Sequence, residues 1–486
     1  MNTSVIIKIP GGILILNGLS MLLPLPVSLW THDGSFLVFV SCGSLGLLLG
    51  GTLWKLGKTH HSMSFREANL SLILSWLTVV GFSSLPFLFL GNFSFTNAWF
   101  ESISAVTTTG FTITNPESLT PGLSFWRGFL QFLGGGMVLS MFLLFMPALG
   151  IMPDLSIYKP DSSIRSHTMF RLSPDLIKNL VLLWIIYVGL VLLEFFLLWL
   201  AGMELLDAIG HAFGTLSTTG SPLKQESVKN FSPAIQWIIT VFMILGGGNF
   251  LLYTSLVQKN FIKIGQCSEL YWYLGILGGM SLIVTLVLLN TDGFSLESGI
   301  RAASFQTVSI MTSTGYVTQD YQLWPQNVQA LLFLAMFTGR CLGSTGSGIR
   351  IIHMVILLQY LLSTGKRVLQ PLAIAPIRTG GKTLDSELLY NILGFVAAHL
   401  FLVVVGGMLL SWVDDMNYIS AFSRSISSLW NLGVGFNEAG PFLSQNEVSS
   451  FGKWIMGGWM LLGRLEIIPF MLLLHPPFWK RQGSSF

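Results

Sequence analysis

Charged side chains are scarce in this chain: Asp, Glu, Lys and Arg make up 10% of its 486 residues, against roughly a quarter in an ordinary soluble domain. So little charge cannot hydrate a globule of this length, and a water-soluble domain is excluded. Cysteine is scarcer still. Cys42, Cys267 and Cys341 lie in or beside apolar stretches at no metal-ligand spacing, which excludes a disulfide scaffold and predicts free thiols. The net charge of +3 leaves no basic surface for nucleic acid. His211, His353 and the other histidines form no paired metal or nucleophile spacing, and Asp is nearly absent from the apolar stretches, so the pattern is not that of an enzyme.

What the chain has instead is long apolar runs, with 52% hydrophobic residues and a mean hydropathy of +0.68. A bilayer core of about 30 Å takes about 20 apolar residues per helix. Ten stretches qualify, near 12–30, 35–54, 70–91, 125–148, 180–201, 233–257, 271–289, 328–359, 389–412 and 454–474. The first follows Lys8 and lacks a small-residue cleavage site, so it reads as a retained helix and not a signal peptide. The fold class expected is an all-α polytopic membrane protein.

Basic residues alternate sharply between the connecting loops. Lys55, Lys58, Arg66, then Lys159, Arg165, Arg171, Lys178, then Lys259, Lys263, then Lys366, Arg367, Arg378, Lys382, and finally Lys480 and Arg481 supply 15 of the 25 on one side. By the positive-inside rule that side and both termini are cytoplasmic. The opposite loops carry Glu117, Glu226, Asp292, Glu297, Asp320, Asp414, Asp415 and Glu447, an acidic approach that suits a cation.

A fourfold internal repeat carries the functional reading. After the third, fifth, seventh and ninth stretches come TTTGF at 107–111, STTGS at 217–221, TSTGY at 312–316 and NLGVGF at 431–436. With Gly110, Gly220, Gly315 and Gly433 aligned, the residue twelve earlier is Ala98, Ala208, Ala303 and Ala421, and the residue nine earlier is Glu101, His211, Gln306 and Arg424. Gly435 competes with Gly433 because its GF follows the pattern of TGF and TGY; the alanine register favours Gly433. A second small-residue site follows each glycine at Gly134–Gly136, Gly246–Gly248, Gly339 with Arg340, and Gly463 with Arg464.

A cation such as potassium must exchange its water for protein oxygens to cross, and backbone carbonyls are the natural substitute. Four loops can aim carbonyls at one axis only in unusual dihedrals, which glycine supplies. Irregular backbone at membrane depth is tolerated where it lines water. The stretches near 95–106, 204–216, 297–311 and 418–430 have the length of half-membrane helices whose C-terminal dipole ends would face the ion. Close packing of small residues is the plainer alternative for any single segment; four in register argue against it.

These residues resemble the Trk/Ktr/HKT superfamily of potassium transporters, in particular its Trk-type membrane subunit, over essentially the whole chain. The resemblance implies four helix, pore-loop, helix units around one pore plus two extra N-terminal helices. It places the extra pair at 1–66 and the units at 67–160, 161–265, 266–370 and 371–486. It makes Thr108, Thr109, Gly110, Thr218, Thr219, Gly220, Ser313, Thr314, Gly315, Asn431, Leu432, Gly433 and Gly435 the candidate potassium filter. Within it, Thr109, Gly110, Thr219, Gly220, Thr314, Gly315, Leu432 and Gly433 hold the ion, and glycine at all four positions goes with potassium over sodium.

GRCLGSTGSGIR at 339–350 resembles the family's intramembrane gating loop, and GRLEI at 463–467 its fourth-unit signature, with an arginine beneath the filter. The candidate gate is Gly339, Arg340, Gly343, Ser344, Thr345, Gly346, Ser347, Gly348 and Arg464, with Glu466 the nearest candidate partner of Arg464. An arginine at membrane depth costs about 2.5–3.5 kcal/mol and faces protein or water. Three positions depart from the family pattern: Arg340 and Ser221 stand where glycine is common, and Val434 where proline is usual.

The resemblance further implies a homodimer in the bacterial cytoplasmic (inner) membrane. It implies no covalent cofactor, and NAD or ATP only on a separate cytoplasmic nucleotide-binding regulatory subunit of the TrkA kind. Loops 159–178 and 366–382 are the expected docking places. PIRTGGKT at 376–383 has Pro376 where a phosphate loop needs glycine, and reads as a solvated loop. The competing functions are a sodium-coupled or proton-coupled secondary cation transporter, which predicts a twofold repeat, and a non-conducting accessory subunit. Glu194, a single acid in the fifth stretch, reads as packed at an interface.

Overall fold

A computed structural model describes residues 3–57, 64–149, 174–221, 223–265, 267–291, 293–370, 376–379 and 382–479. Lys58, Lys159, Arg165, Arg171, Asp292, Lys480 and Arg481 lie outside these, as do residues 159–173 and 371–375 of the two expected docking loops.

Among the described residues, six helices are long and apolar enough to cross a bilayer, and two bent helix pairs bring the total to eight. The expected first span divides into Thr3–Ser20 and Leu25–Thr31, interrupted before Pro24, and starts nine residues earlier than hydropathy suggested. It packs on Phe36–Leu56 at very close range, since methyl groups on Gly18 and Gly50 would lie 2.9 Å from the Gly43 and Gly11 carbonyls. Asp33 joins this pair to the first unit. Its carboxylate accepts from the Ser28 and Ser35 hydroxyls, the Ser35 N–H and the Gly122 N–H at 2.6 to 3.0 Å. Burial raises its pKa, but these hydrogen bonds together hold the carboxyl below its usual range.

Each following unit has an outer helix, a short buried helix and a return helix. The outer helices are Phe65–Ser83 with Leu85–Leu90, Pro174–Leu200, Ser268–Leu289 and Ser386–Asp414. The short helices are Phe95–Val106, Leu205–Leu216, Leu296–Met311 and Tyr418–Trp430, within two residues of the expected half-membrane stretches. Ser94, Ser295 and Asn417 cap three of them by accepting a backbone N–H from the first turn.

The return helices hold the surprises. Only Pro121–Leu149 runs unbroken, for 29 residues. The second, expected as 233–257, turns by 93° between Pro233–Gly247 and Phe250–Val257. Asn249 starts the new helix by accepting the Leu251 N–H at 2.9 Å. The third, expected as 328–359, is helical only over Gln326–Ala335 and Ile351–Leu369. The fourth, expected as 454–474, turns by 108° between Ser450–Arg464 and Ile468–Leu474, where Glu466 and Ile467 adopt positive φ.

The outside of the bundle is apolar. On Pro174–Leu200, Val181, Ile185, Val188, Leu192 and Phe196 are exposed along one stripe, while Leu183, Tyr187, Val191, Glu194 and Leu198 are buried along the other. That is the division a lipid-facing helix makes. Glu194 is therefore an interior residue. Of the PIRTGGKT segment, Arg378–Thr379 and Lys382–Thr383 pair as two short antiparallel strands, Arg378 with Thr383 and Thr379 with Lys382. No disulfide joins the three cysteines to one another.

Candidate functional site

Each short helix ends in the same turn. The residue two before the glycine takes a left-handed conformation, with φ of 53° at Thr108, 54° at Thr218, 50° at Ser313 and 53° at Asn431. The next N–H reaches back to the helix: Thr109 to the Ser104 carbonyl, Thr219 to Gly214 and Thr314 to Ser309 at 2.8 Å, and Leu432 to Ser427 at 2.9 Å. This is a Schellman-type close, normally built on glycine. Here non-glycine residues occupy it at a cost of roughly 1–3 kcal/mol each.

In three loops a hydroxyl pair spans the strained residue: Thr107 with Thr109 at 2.8 Å, Ser217 with Thr219 at 2.6 Å and Thr312 with Thr314 at 2.8 Å. The fourth loop has Trp430 and Leu432 at those places. Its Asn431 amide instead donates to the Thr109 hydroxyl of the first loop at 2.8 Å and to the Met460 carbonyl at 3.0 Å.

The following glycines all have positive φ, at 89° for Gly110, 54° for Gly220, 88° for Gly315 and 79° for Gly433. A methyl group on Gly110 would strike the Thr219 carbonyl oxygen, on Gly220 that of Thr314, on Gly315 that of Leu432, and on Gly433 that of Thr109. The contacts run from first unit to second, third, fourth and back to first, so the loops close a ring about one axis. Gly433 is in that ring. Gly435 is outside it, donating its N–H to the Ala439 carbonyl at 2.7 Å and accepting from the Tyr321 hydroxyl at 2.5 Å.

Behind the ring, the polar residues nine before each glycine are buried. The Glu101 carboxylate accepts from the Thr112 hydroxyl at 2.6 Å and the Ile113 N–H at 2.7 Å. Gln445 N–H donates to the Thr112 carbonyl at 2.7 Å, and its side-chain oxygen accepts from Arg424 at 2.8 Å. These bonds join the first and fourth units. His211 stacks on Tyr316, 5.4 Å between rings, and joins the second to the third. In the first turn of the second short helix Asp207 pairs with Lys224 at 2.9 Å, and hydrogen bonding to that carboxylate holds the ammonium above its usual range.

Residues 336–350, the break in the third return helix, lie beneath the ring and touch all four units. The Thr345 hydroxyl donates toward the Leu216 carbonyl at 3.0 Å, with the Thr218 hydroxyl 3.3 Å away. Ser347 bonds Asn431. Arg340 donates to the carbonyls of Thr312 at 2.8 Å, Ser347 at 2.6 Å and Trp430 at 2.8 Å. Arg464 donates to Thr345 at 2.8 Å and to Gly134 of the first unit at 3.0 Å. Gly343 accepts from Phe250 N–H at 3.0 Å, and Gly346 and Gly348 pack against the Arg340 guanidinium and the Trp430 ring. Gly339 lies against the Ile349 carbonyl, closing the base of the loop, and Ser344 is buried within it.

One sequence expectation is corrected. Glu466 pairs with Arg350, not Arg464. Arg350 itself went unassigned in the sequence; its place in GRCLGSTGSGIR was the available signal. Charge-assisted hydrogen bonds contribute about 1.5–3 kcal/mol each, so the bonds of Arg340 and Arg464 hold the loop firmly.

A family model described as TrkH, cation transport protein, matches residues 37–291 and 292–480. The chain is 32% identical over 492 residues to the Trk system potassium uptake protein TrkH of Escherichia coli strain K12, covering 99% of this chain and 100% of the relative. It is 28% identical over 495 residues to TrkG of the same strain, covering 99% and 100%. A crystal structure of the potassium transporter TrkH from Vibrio parahaemolyticus superposes with a TM-score of 0.89 at 32% identity, over 99% of this chain and 100% of that one.

Proposed function

The chain belongs to the TrkH family of cation transport proteins, and on that premise we propose that it takes up potassium through the ring of four glycine loops. The observation that carries the reading is the closed cycle of contacts from Gly110 to Thr219, Gly220 to Thr314, Gly315 to Leu432 and Gly433 to Thr109. In this reading the main-chain oxygens of Thr109, Gly110, Thr219, Gly220, Thr314, Gly315, Leu432 and Gly433 are the ones that replace the water of a dehydrating cation.

The ion approaches through the acidic mouth, passes the ring, and leaves when residues 343–348 move from beneath it. Arg464 holds that loop closed. The membrane potential, worth about 2.3 kcal/mol per charge per 100 mV, drives accumulation. The helix, loop, helix pattern supports assigning the extra pair to 1–66 and the units to 67–160, 161–265, 266–370 and 371–486. The chain is an integral membrane protein. The basic loops support a cytoplasmic position for both termini in the bacterial inner membrane, a homodimer is the assembly we assign, and a nucleotide-binding cytoplasmic subunit is the partner we assign to those loops.

Gly315→Asp, expressed in a host deficient in potassium uptake, tests the reading. It puts a carboxylate on the Leu432 carbonyl and should abolish growth at limiting potassium; undiminished rescue removes the site.

A further inference from the structure

Arg340 stands in a place the fold builds for a cation. Thr312 and Trp430 each lie three residues before a ring glycine, at the C-terminal ends of the third and fourth short helices, where unpaired carbonyls carry the negative end of the helix dipole. Both carbonyls accept hydrogen bonds from the Arg340 guanidinium at 2.8 Å. On its other side the guanidinium packs on Gly346 and bonds the Ser347 carbonyl at 2.6 Å. It is fully buried, and each of these hydrogen bonds ends on a backbone carbonyl. Of the buried carboxylates around the loop, Glu269 accepts the Leu342 N–H at 2.6 Å and Glu466 is bonded to Arg350, so neither hydrogen-bonds the Arg340 guanidinium.

We propose that the Arg340 guanidinium is a tethered cation that competes with the transported ion for the carbonyls beneath the ring. While it is seated, the inner end of the path is already occupied by positive charge and the 343–348 loop is fastened to the third and fourth units. For an ion to leave, the guanidinium must give up the Thr312 and Trp430 oxygens. Its role differs from that of Arg464, which bonds the loop and the first unit but neither of those carbonyls. The proposal rests on the ring being the ion path.

The test uses the full chain in liposomes, with potassium uptake measured without any partner protein. Arg340→Gly should raise uptake by about tenfold or more, the shift expected when even one charge-assisted hydrogen bond is lost from the closed form. Added guanidinium chloride should then inhibit Arg340→Gly, less so as potassium is raised, and leave the parent chain unaffected. Uptake unchanged or lowered in a monodisperse Arg340→Gly protein, or no inhibition by guanidinium, overturns the proposal. If the glycine variant does not fold, Arg340→Gln, neutral and able to bond the same oxygens, takes its place: raised uptake supports competition by charge, and parental uptake overturns it. Gly315→Asp in the same liposomes separates the two readings. If it abolishes uptake while the Arg340 variants behave as the parent, only the tethered cation fails; if it conducts as the parent does, the ring reading fails first.

Discussion

Three of the proposed filter loops and the fourth reach one backbone shape by different means. Thr107 with Thr109, Ser217 with Thr219 and Thr312 with Thr314 each fasten a loop to itself. The fourth, with Trp430 and Leu432, is fastened to its surroundings through Asn431, which reaches the first loop, the fourth return helix and Ser347 below. A self-latched loop carries part of its restraint within itself. A loop latched from outside feels its neighbours, so the fourth is where displacement of the segment beneath reaches the ring most directly.

The contrast can be broken at its largest effect by comparing two glycines of one loop. Gly433→Ala drives a methyl into the Thr109 carbonyl and should abolish growth at limiting potassium, while Gly435→Ala, clear of the ring, should retain part of it. Equal loss in both would erase the distinction between them. Next comes the outside latch. Asn431→Leu leaves the backbone turn without its cross-loop bonds, and a buried hydrogen-bonding group lost at about 1–2 kcal/mol should cut discrimination of potassium over sodium by about tenfold. Flux ratios in liposomes check it.

A smaller effect sharpens the comparison from the other side. Thr314→Val removes one self-latch worth about 0.5–1.5 kcal/mol and should lower discrimination several-fold, whereas Leu432→Thr should change it little, because Trp430 offers no hydroxyl to pair with. If Leu432→Thr proved the more damaging, the latch would not be what shapes these loops. The smallest effect lies away from the ring. Asp33 has its pKa lowered in the folded state, so its share of stability is present above the unfolded value near 4 and is lost as pH falls through the folded one. Thermal unfolding in detergent should show a modest loss of stability below about pH 4 that Asp33→Asn abolishes, with no change in selectivity.

The four short helices were legible because alanine, a polar residue and glycine recur at fixed offsets, and such a register reflects backbone geometry directly. The bends were not. Apolar residues continue on both sides of GGGN within 233–257 and of GRLE within 454–474, and hydropathy averages over such short interruptions without sensing a turn made by Gly248 and Asn249 or by Glu466 and Ile467 at positive φ. The break at 336–350 showed itself through its glycines. Glu466 was misassigned through proximity: residues two apart on a helix point to different faces, and its partner Arg350 comes from the third unit. Long-range pairs of this kind leave no local trace.

A closed ring drawn from a single polypeptide has a consequence for how such a pore can change over time. In a channel assembled from four identical chains, any substitution enters every quadrant at once. Here each enters once, so one quadrant can drift to leucine and tryptophan while three stay hydroxylic, and the sequence can explore unequal solutions to one coordination problem without ever facing four copies of the same error.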